Sequence, residues 1–300
     1  MGSPENLLAQ PMTEAGRAGL AGFLARPADT VVALDFDGTL AGIVPDPEQA
    51  RAHPGVVQAL TRLAPLLRAV VVITGRPAET AVRLGGFADA DGLDHLVVLG
   101  HYGAERWEAA TGRIEAPAPP PGVAAATAEL PGLLADSGAW QDGPADAEIE
   151  ATIEAAIETK GGRAVAVHTR RTADPQGTFE ALRAPLAALA ERHGLIVEPG
   201  RFVLELRPPG VDKGVALTSY VREVEAGAVL YAGDDLGDLA AYAAVDALRA
   251  EGLPGVLVCS SATAGEGAEE LADRADLVVP GPQGVVELLT RLAEAIATHA

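Results

Sequence analysis

The chain has 300 residues, 48% of them hydrophobic, which is enough for one large domain or two of ordinary size. Its formal net charge of −20 disfavours nonspecific binding to nucleic acid or to an anionic membrane surface, because both select clustered lysine and arginine. Its single cysteine, Cys259, excludes an internal disulfide framework and fits a reducing compartment.

Strands and helices alternate in the first third of the chain. The β-branched run at 31–34 predicts a buried strand, and residues 53–67 carry apolar side chains at helical spacing. A second strand is predicted at 69–76, a helix at 77–86 and a third strand at 95–103. This order predicts a parallel sheet covered by helices.

The alternation stops at the proline-rich segment 115–122, which predicts a hinge between domains. The following segment predicts helices near 145–159 and 178–194 and strands at 163–171, 194–200 and 201–208. Its strands alternate apolar and polar residues, as in VLELR, which is typical of an antiparallel sheet with one polar face.

From residue 208 onward the first alternation returns. Helices are predicted at 213–224, at 238–250 and in a last segment ending near Thr298, and strands at 227–235, 255–260 and 275–280. The patterns therefore predict an α/β fold with a parallel-sheet core of residues 1–114 and 208–300. An α+β domain of residues 115–207 is predicted to be inserted into that core.

Polar residues follow several core strands. Because ligands bind beyond the carboxyl ends of the strands in an open parallel sheet, we expect these residues to converge. They are Asp35 and Asp37, Thr74-Gly75-Arg76, Lys213 before a helix, and Asp234, Asp235 and Asp238. Mg²⁺ prefers carboxylate and phosphate oxygens, whereas histidine and cysteine, the usual zinc ligands, are absent from these stretches. A magnesium site is predicted, although the pair Asp35 and Asp37 alone could simply cap a turn.

The order of these motifs along the chain resembles that of the haloacid dehalogenase (HAD) superfamily of phosphatases. The motifs are DFDGTL (35–40), TGR (74–76), Lys213 and GDDLGD (233–238). The resemblance implies a HAD-like Rossmannoid core in which Asp35 is the nucleophile and Asp37 the general acid and base. It also implies that Thr74 binds a phosphoryl oxygen and that Lys213 neutralises phosphate charge. Mg²⁺ would be held by Asp35, the Asp37 carbonyl and Asp234, with Asp238 completing the metal site by orienting a metal-bound water.

The insertion resembles the larger, C2-type cap of this superfamily, and three stretches are similar to trehalose-6-phosphate phosphatases. They are GHYGAE (100–105), ETKGGRAVAVHTR (158–170) and GRFVLELRP (200–208). The resemblance implies that carboxylates accept from sugar hydroxyls and that cationic side chains donate to them. The implied substrate-binding residues are Gly75, Arg76, His101, Glu105, Lys160, His168, Arg170, Glu205 and Arg207.

Each of these side chains also has a structural alternative. Arg170 could belong to a solvated strand edge, His168 could be a core histidine, and Glu105, Glu205 and Arg207 could pair with neighbours. The chain also departs from the family pattern at His101-Tyr102 and, within GDDLGD and just after it, at Gly237 and Leu239, all near the expected site mouth. These departures leave another sugar or pseudo-disaccharide phosphate open as the substrate.

The expected function is Mg²⁺-dependent hydrolysis of trehalose 6-phosphate through an aspartyl-phosphate, as a step of trehalose biosynthesis. A non-catalytic binding module with the same fold is the third possibility, although every residue that the chemistry needs is present. No apolar run reaches membrane-spanning length, and residues 1–16 lack a basic segment followed by an apolar one. We therefore expect a cytoplasmic monomer that binds a small molecule, with no membrane or nucleic-acid partner.

Overall fold

The computed structural model describes residues 11–140, 146–200, 202–261 and 268–299. The chain divides into two compact units, which we call the core unit (Met1–Ala116 and Asp212–Ala300) and the inserted unit (Pro117–Val211). The boundaries expected from the sequence were 114/115 and 207/208. In the described ranges, no helix is both long enough and apolar enough to cross a membrane.

Twelve strands lie within the described residues. They are β1 Thr30–Leu34, β2 Ala69–Ile73, β3 Leu96–Gly100, β4 Glu105–Glu108, β5 Arg113–Glu115, β6 Ile157–Lys160, β7 Ala164–His168, β8 Ile196–Gly200, β9 Val203–Arg207, β10 Ala228–Gly233, β11 Gly255–Ser260 and β12 Leu277–Val279.

Ten α-helices lie within the same residues. They are α1 Glu14–Ala25, α2 Val56–Leu63, α3 Ala78–Gly85, α4 Pro121–Asp136, α5 Asp146–Ala156, α6 Pro175–Arg192, α7 Lys213–Glu223, α8 Leu239–Ala250, α9 Ala268–Arg274 and α10 Gly281–His299.

The core unit contains an eight-stranded sheet in the order β12-β11-β10-β1-β2-β3-β4-β5. Strands β12 to β3 in this order pair in parallel, and β4 and β5 add an antiparallel edge. Every residue of β1, β2, β3, β10 and β11 is buried, as expected for strands that are covered on both faces.

Alternate residues of each central strand face opposite layers. Val32 and Leu34 pack with α1, α2, α3 and α10, whereas Val31 and Ala33 pack with α7, α8 and α9. Strand β1 lies between β10 and β2, with Leu34 opposite Ala232. The residues that follow β1 and β10 are therefore brought side by side at one edge of the sheet.

The inserted unit contains a four-stranded antiparallel sheet in the order β6-β7-β9-β8. Val165, Val167, Leu204 and Leu206 point to one face and pack with apolar residues of α4, α5 and α6. The register places Glu158, Ala166, Glu205 and Glu198 in one row across the opposite face. We call this opposite side the polar face; its presence agrees with the alternating pattern of the sequence.

The structure corrects several predicted elements. The helix expected near 145–159 ends at Ala156, because residues 157–160 form β6 and pair with β7. Helix α4 was not predicted, because its alanine-rich sequence has little contrast between faces and contains Pro131. The short polar strands β4 and β5, and helix α1, were also missed. Ala145 and Arg201, at the ends of predicted elements, lie outside the described residues.

Candidate active site

Three of the predicted acids meet at the edge of the core sheet. Asp35 follows β1 directly, Asp234 follows β10, and Asp238 closes the short 3₁₀ turn that precedes α8. One carboxylate oxygen from each lies within 4.8 Å of the others. The parallel pairing of β1 with β10 is the cause, because it aligns the carboxyl ends of two strands that are distant in the chain.

Lys213 joins this cluster from the first turn of α7. Its Nζ lies 2.8 Å from Asp35 Oδ1 and 2.7 Å from Asp238 Oδ1, and its side chain is buried. Burial lowers the pKa of Lys213, but the carboxylates of Asp238 and Asp35 outweigh this effect and raise the pKa well above its ordinary value. Lys213 is therefore a fixed positive charge beside the proposed nucleophile.

Asp238 is completely buried, and both of its oxygens accept hydrogen bonds. Oδ1 accepts from Lys213 Nζ at 2.7 Å and from the Tyr231 hydroxyl at 2.5 Å. Oδ2 accepts from the backbone N–H groups of Asp234 at 2.9 Å and Asp235 at 3.2 Å. These four donors fill the usual acceptor capacity of a carboxylate. Asp238 thus lies in the predicted metal cluster but has little capacity left for direct coordination.

Asp234 differs from Asp238 in its hydrogen bonding. Its Oδ1 is buried and has no hydrogen-bond partner among the described residues. Burial, followed by the charge of Asp35, raises the pKa of Asp234 to about 9. Burial also raises the pKa of Asp35 to about 8, although Lys213 opposes that rise. A buried oxygen without a donor beside other carboxylates fits a divalent cation, because a cation would offset the cost of placing these charges together.

Gly38 permits the close approach of the two loops that carry these acids. Its φ of +77° lies in the left-handed region, and a Cβ at this position would be 1.9 Å from Asp234 Oδ2. Any side chain would therefore displace the Asp234 carboxylate. The Ser260 hydroxyl donates to the Gly38 carbonyl at 2.9 Å and fixes the same loop from β11.

Asp37 lies outside the carboxylate cluster. Its two oxygens accept from Arg76 Nε and from one of the terminal nitrogens of Arg76, both at 2.7 Å, in a bidentate ion pair. This pair raises the pKa of Arg76, and the guanidinium also lies 5.8 Å from the centre of the Phe36 ring. The structure therefore brings the predicted general acid together with Arg76 of the TGR turn.

Thr74 and Gly75 form the backbone of that turn. Thr74 is buried, and its hydroxyl accepts from the Arg76 N–H at 3.1 Å. A Cβ on Gly75 would lie 2.7 Å from the Tyr102 hydroxyl, so any side chain here would have to displace the Tyr102 ring. The N–H of Tyr102 donates to the Thr74 carbonyl and that of His101 to the Arg76 carbonyl, both at 2.9 Å. The GHYGAE stretch thus supports the TGR turn.

Glu105 has a defined structural contact within the core unit. Its Oε2 accepts from the N–H of Ala78 at 2.8 Å, and its Oε1 lies 3.8 Å from His101 Nε2. Ala78 is the first residue of α3, whose N-cap, Pro77, offers no side-chain acceptor. Glu105, the first residue of β4, therefore caps helix α3. This contact matches the structural alternative that the sequence left open.

In the inserted unit, the predicted substrate residues of the strands share the polar face. Glu205 accepts from Lys160 Nζ, and Arg207 donates to Glu198 at 2.9 Å. At the other end of the face, His168 Nε2 lies 2.7 Å from Glu158 Oε2, and this hydrogen bond lowers the pKa of Glu158. The face carries carboxylates and cations in adjacent pairs, an arrangement that can accept from and donate to hydroxyl groups.

Arg170 lies beyond the end of β7 and lines a cavity of about 740 Å³. His168 and Glu158 line the same cavity, together with Trp140, Arg171, Val203 and small residues of α5. The predicted substrate residues of the inserted unit thus form two groups. His168 and Arg170 line this cavity, whereas Lys160 pairs with Glu205 and Arg207 pairs with Glu198. Trp140 is buried beside this cavity.

Two further residues belong to the core site: Asp235, which was expected at this sheet edge without a role, and Tyr231, which was not predicted. Asp235 caps the 3₁₀ turn by accepting from Gly237 N–H at 2.9 Å, and Tyr231 donates to Asp238. Tyr231 carried a signal in the sequence, because a hydroxyl inside the otherwise apolar strand VLYAG requires a buried partner. The sequence could not show that Asp238 is this partner.

Known proteins are similar in sequence to most of the chain. The family model of the trehalose-phosphatases matches residues 145–275. A trehalose-phosphate phosphatase of Mycolicibacterium paratuberculosis is 34% identical over 249 residues, which cover 80% of this chain and 56% of that protein. An uncharacterized glycosyl hydrolase of Mycobacterium tuberculosis is 38% identical over 247 residues, which cover 78% of this chain and 16% of that protein. The chain spans about half the length of the curated trehalose-phosphate phosphatases it matches.

Solved structures share the fold. The C-terminal domain of a C. albicans trehalose-6-phosphate phosphatase has a TM-score of 0.67 at 18% identity, covering 95% of this chain and 99% of that one. A haloacid dehalogenase-like hydrolase from Bacteroides thetaiotaomicron has a TM-score of 0.55 at 16% identity, covering 90% and 99%. The chain is thus similar in sequence to the trehalose-phosphatases and shares the fold of the HAD-like hydrolases, which confirms the resemblance predicted from its motifs.

Proposed function

We propose that this protein is a Mg²⁺-dependent phosphatase that hydrolyses trehalose 6-phosphate to trehalose and phosphate. The observation that carries this proposal is the cluster of Asp35, Asp234 and Asp238, in which Asp35 and Asp238 are buried, Asp234 is half-buried, and Lys213 lies at hydrogen-bond distance from the two buried acids. Phosphoryl transfer depends mainly on positioning and on charge stabilisation, and this cluster supplies both at one point. The similarity to named trehalose-phosphate phosphatases supports the choice of substrate.

In the first proposed step, a carboxylate oxygen of Asp35 attacks phosphorus while the ester P–O bond breaks. The product is an aspartyl-phosphate on Asp35, and the leaving sugar oxygen takes a proton from Asp37. In the second step, water attacks the same phosphorus and gives its proton to Asp37, and the bond between phosphorus and Asp35 breaks. Inorganic phosphate leaves, and Asp35 and Asp37 return to their starting forms.

The bidentate pair of Asp37 with Arg76 must open for these proton transfers. Arg76 donates to both carboxylate oxygens of Asp37, so neither is free to face a leaving group. A phosphate dianion is the natural competitor for a guanidinium, because it offers the same bidentate acceptor geometry. Arg76 would therefore exchange Asp37 for the substrate phosphate on binding.

Asp35 and Asp234 would hold the metal directly, because Asp234 Oδ1 is buried without a donor. Bound Mg²⁺ would supply positive charge beside the transferring phosphoryl group. Asp238 would act through the groups it holds, namely Lys213 and the Asp234–Asp235 backbone. Lys213 would supply the second positive charge.

The inserted unit would recognise the sugar. The alternating acids and cations of its polar face can satisfy hydroxyl donors and acceptors of a disaccharide, and a ligand that leaves them unpaired is rejected. We assign substrate contacts to Lys160, His168, Arg170, Glu205 and Arg207. In the core unit, His101, Gly75 and Arg76 are assigned to the phosphate end of the substrate.

Phosphate release from a panel of esters tests the proposal. The purified chain with Mg²⁺ should release phosphate fastest from trehalose 6-phosphate, more slowly from glucose 6-phosphate, sucrose phosphate and an aryl phosphate, and not at all after metal chelation. Equal rates on glucose 6-phosphate and trehalose 6-phosphate would contradict recognition of a disaccharide. Absence of release from every ester would instead favour a binding module.

The covalent step has its own test. Rapid quenching during turnover followed by borohydride reduction should convert Asp35 to homoserine, because borohydride reduces an acyl phosphate. Mass spectrometry of the peptide that contains residues 31–40 reads the change. Recovery of only unmodified Asp35 under conditions of steady turnover would exclude the aspartyl-phosphate.

A further inference from the structure

Tyr231 is a buried tyrosine whose hydroxyl reaches the candidate site. It lies in β10, is 0% exposed, and donates to Asp238 Oδ1 at 2.5 Å. Its ring packs among apolar residues of the layer that contains α7 and α8, and stands edge-on to the ring of Tyr242 with centroids 6.1 Å apart. The ring is thus a core residue, while its hydroxyl is directed to a charged group.

The acceptor of this hydrogen bond is shared with Lys213. Asp238 Oδ1 accepts from both Tyr231 and Lys213, while Oδ2 accepts from the backbone of Asp234 and Asp235. Lys213 in turn lies 2.8 Å from Asp35 Oδ1. A chain of direct contacts therefore runs from the Tyr231 hydroxyl through Asp238 to Lys213 and Asp35.

We propose that Tyr231 is a positioning residue of the phosphatase: its hydroxyl fixes the rotation of the Asp238 carboxylate, and Asp238 in turn aims the Lys213 ammonium at the reacting phosphoryl group. This inference rests on the proposed function, because it assigns Lys213 to phosphoryl transfer. Tyr231 touches neither substrate nor metal in this scheme and acts only through Asp238.

The physical reason lies in the number of donors around Asp238. With four donors, each in a fixed direction, the carboxylate has one satisfied orientation. Without the Tyr231 hydroxyl, Oδ1 keeps only the donor carried on the flexible lysine side chain, so Oδ1 and the Lys213 ammonium can shift together while the two backbone donors still hold Oδ2. A charge that is no longer held at the reacting centre loses transition-state stabilisation, while binding of the remote sugar is unaffected.

Tyr242 provides a matched control in the same layer. It is also 0% exposed, belongs to the same apolar cluster and contacts Tyr231, but its hydroxyl has no hydrogen-bond partner among the described residues. Tyr231→Phe and Tyr242→Phe remove the same atom from neighbouring buried rings. An effect that comes only from the loss of a buried hydroxyl should therefore appear in both variants.

Steady-state kinetics of both variants test the proposal. Tyr231→Phe should lower kcat about 10-fold on both trehalose 6-phosphate and an aryl phosphate, the size expected for one hydrogen bond to a charged group, with KM changed less than about 3-fold. Tyr242→Phe should change neither constant more than about 2-fold. Equal kinetics for the two variants would overturn the proposal.

A double variant tests whether Tyr231 acts through Asp238. In an Asp238→Asn background, the change Tyr231→Phe should have almost no further effect on kcat, because the group it positions has already been altered. A full additional 10-fold loss would show that Tyr231 acts by another route.

Backbone hydrogen exchange provides a measurement that does not depend on activity. The backbone N–H groups of Asp234 and Asp235 donate to Asp238 Oδ2. They should exchange several-fold faster in Tyr231→Phe than in the unaltered protein, and at unchanged rates in Tyr242→Phe. Unchanged exchange in Tyr231→Phe would overturn the proposal. If the unaltered protein releases phosphate from no ester, the proposed function fails, while this measurement still decides whether Tyr231 holds Asp238 in place.

Discussion

The two units present charge in different ways. In the core unit, Asp35, Asp238 and Lys213 are buried and bonded to one another across elements that are far apart in sequence. In the inserted unit, the predicted substrate residues of the strands lie on one face of a small sheet and pair with residues of other strands of that sheet; Glu205 and Arg207 are buried there, whereas the His168–Glu158 pair is exposed. The contrast indicates a core that is organised in advance for one reaction and a polar face that can exchange its partners for those of a ligand.

The largest effect should come from the buried cluster. Asp35→Asn should lower kcat by roughly 10³-fold or more, because an amide is a poor nucleophile for phosphorus. The control Asp174→Asn, at the N-cap of α6, should keep full activity, since asparagine caps as well as aspartate. Phosphate release from trehalose 6-phosphate measures both. Retention of a tenth of the activity by Asp35→Asn would place the nucleophile elsewhere.

A second test compares one lysine from each unit. Lys213→Met should lower the free energy of unfolding by about 3–5 kcal/mol, because it leaves buried carboxylates without their partner. Lys160→Met should cost less, about 1–3 kcal/mol, because a quarter of the Lys160 side chain is exposed, whereas its partner Glu205 is buried and loses one charged donor. Denaturation followed by circular dichroism in metal-free buffer measures both values. Equal costs would remove the contrast between the units.

A comparison of two substrates, one with a sugar and one without, separates the role of the polar face from that of the core unit. Glu205→Gln should lower kcat/KM for trehalose 6-phosphate about 30-fold, the loss expected for charge-assisted hydrogen bonds, and should leave an aryl phosphate within about 2-fold. Glu129→Gln, an exposed residue of α4 paired with Arg192 and His193, is the control and should affect neither substrate. Equal losses on both substrates would exclude Glu205 from sugar recognition.

The smallest expected effect concerns pH. The pKa values of Asp35 and Asp234, about 8 and about 9 after burial, are raised above the unfolded range near 4, so the folded metal-free protein binds more protons between these limits. Its unfolding free energy should therefore fall as pH rises from about 4 to about 9, and Mg²⁺ should offset the fall because it competes with protons for the same carboxylates.

Thermal melting with and without Mg²⁺ measures this effect. The gain in Tm on adding the metal should be larger at about pH 8.5 than at about pH 6, by a few degrees. No comparable term is expected from the inserted unit, because the pKa of Glu158 is lowered by His168, and its contribution is lost only as pH falls below the ordinary glutamate range. A metal-induced gain independent of pH would argue that the acids are already ionised in the metal-free protein.

Much of the core could be predicted from the sequence, because its signals are local. Continuous apolar runs mark β1, β2 and β10, and each is followed directly by polar residues, namely an acid after β1 and β10 and Thr74 after β2. Because the carboxyl ends of parallel strands lie at one edge of a sheet, this pattern implies that the polar residues converge. Strands β4 and β5 had no such signal, since they are short and polar, and their pairing with β3 comes from tertiary contacts.

The partners within the site could not be predicted. Nothing in DFDGTL distinguishes Asp35, which faces Lys213, from Asp37, which faces Arg76. The helix-capping contact of Glu105 also depends on how β4 lies beside α3, which no local pattern encodes. Which side chains pair depends on how elements distant in the chain pack together, whereas the local sequence pattern determines whether a segment forms a strand or a helix.

The adjacency of β1 and β10 also constrains the order of folding. Thr30 pairs with Ala228, and the whole inserted unit lies between them in the chain. During synthesis the inserted unit, which has its own apolar cluster, emerges complete while β1 still presents an unpaired edge. The half-made sheet must therefore remain open, and available to chaperones, until β10 leaves the ribosome.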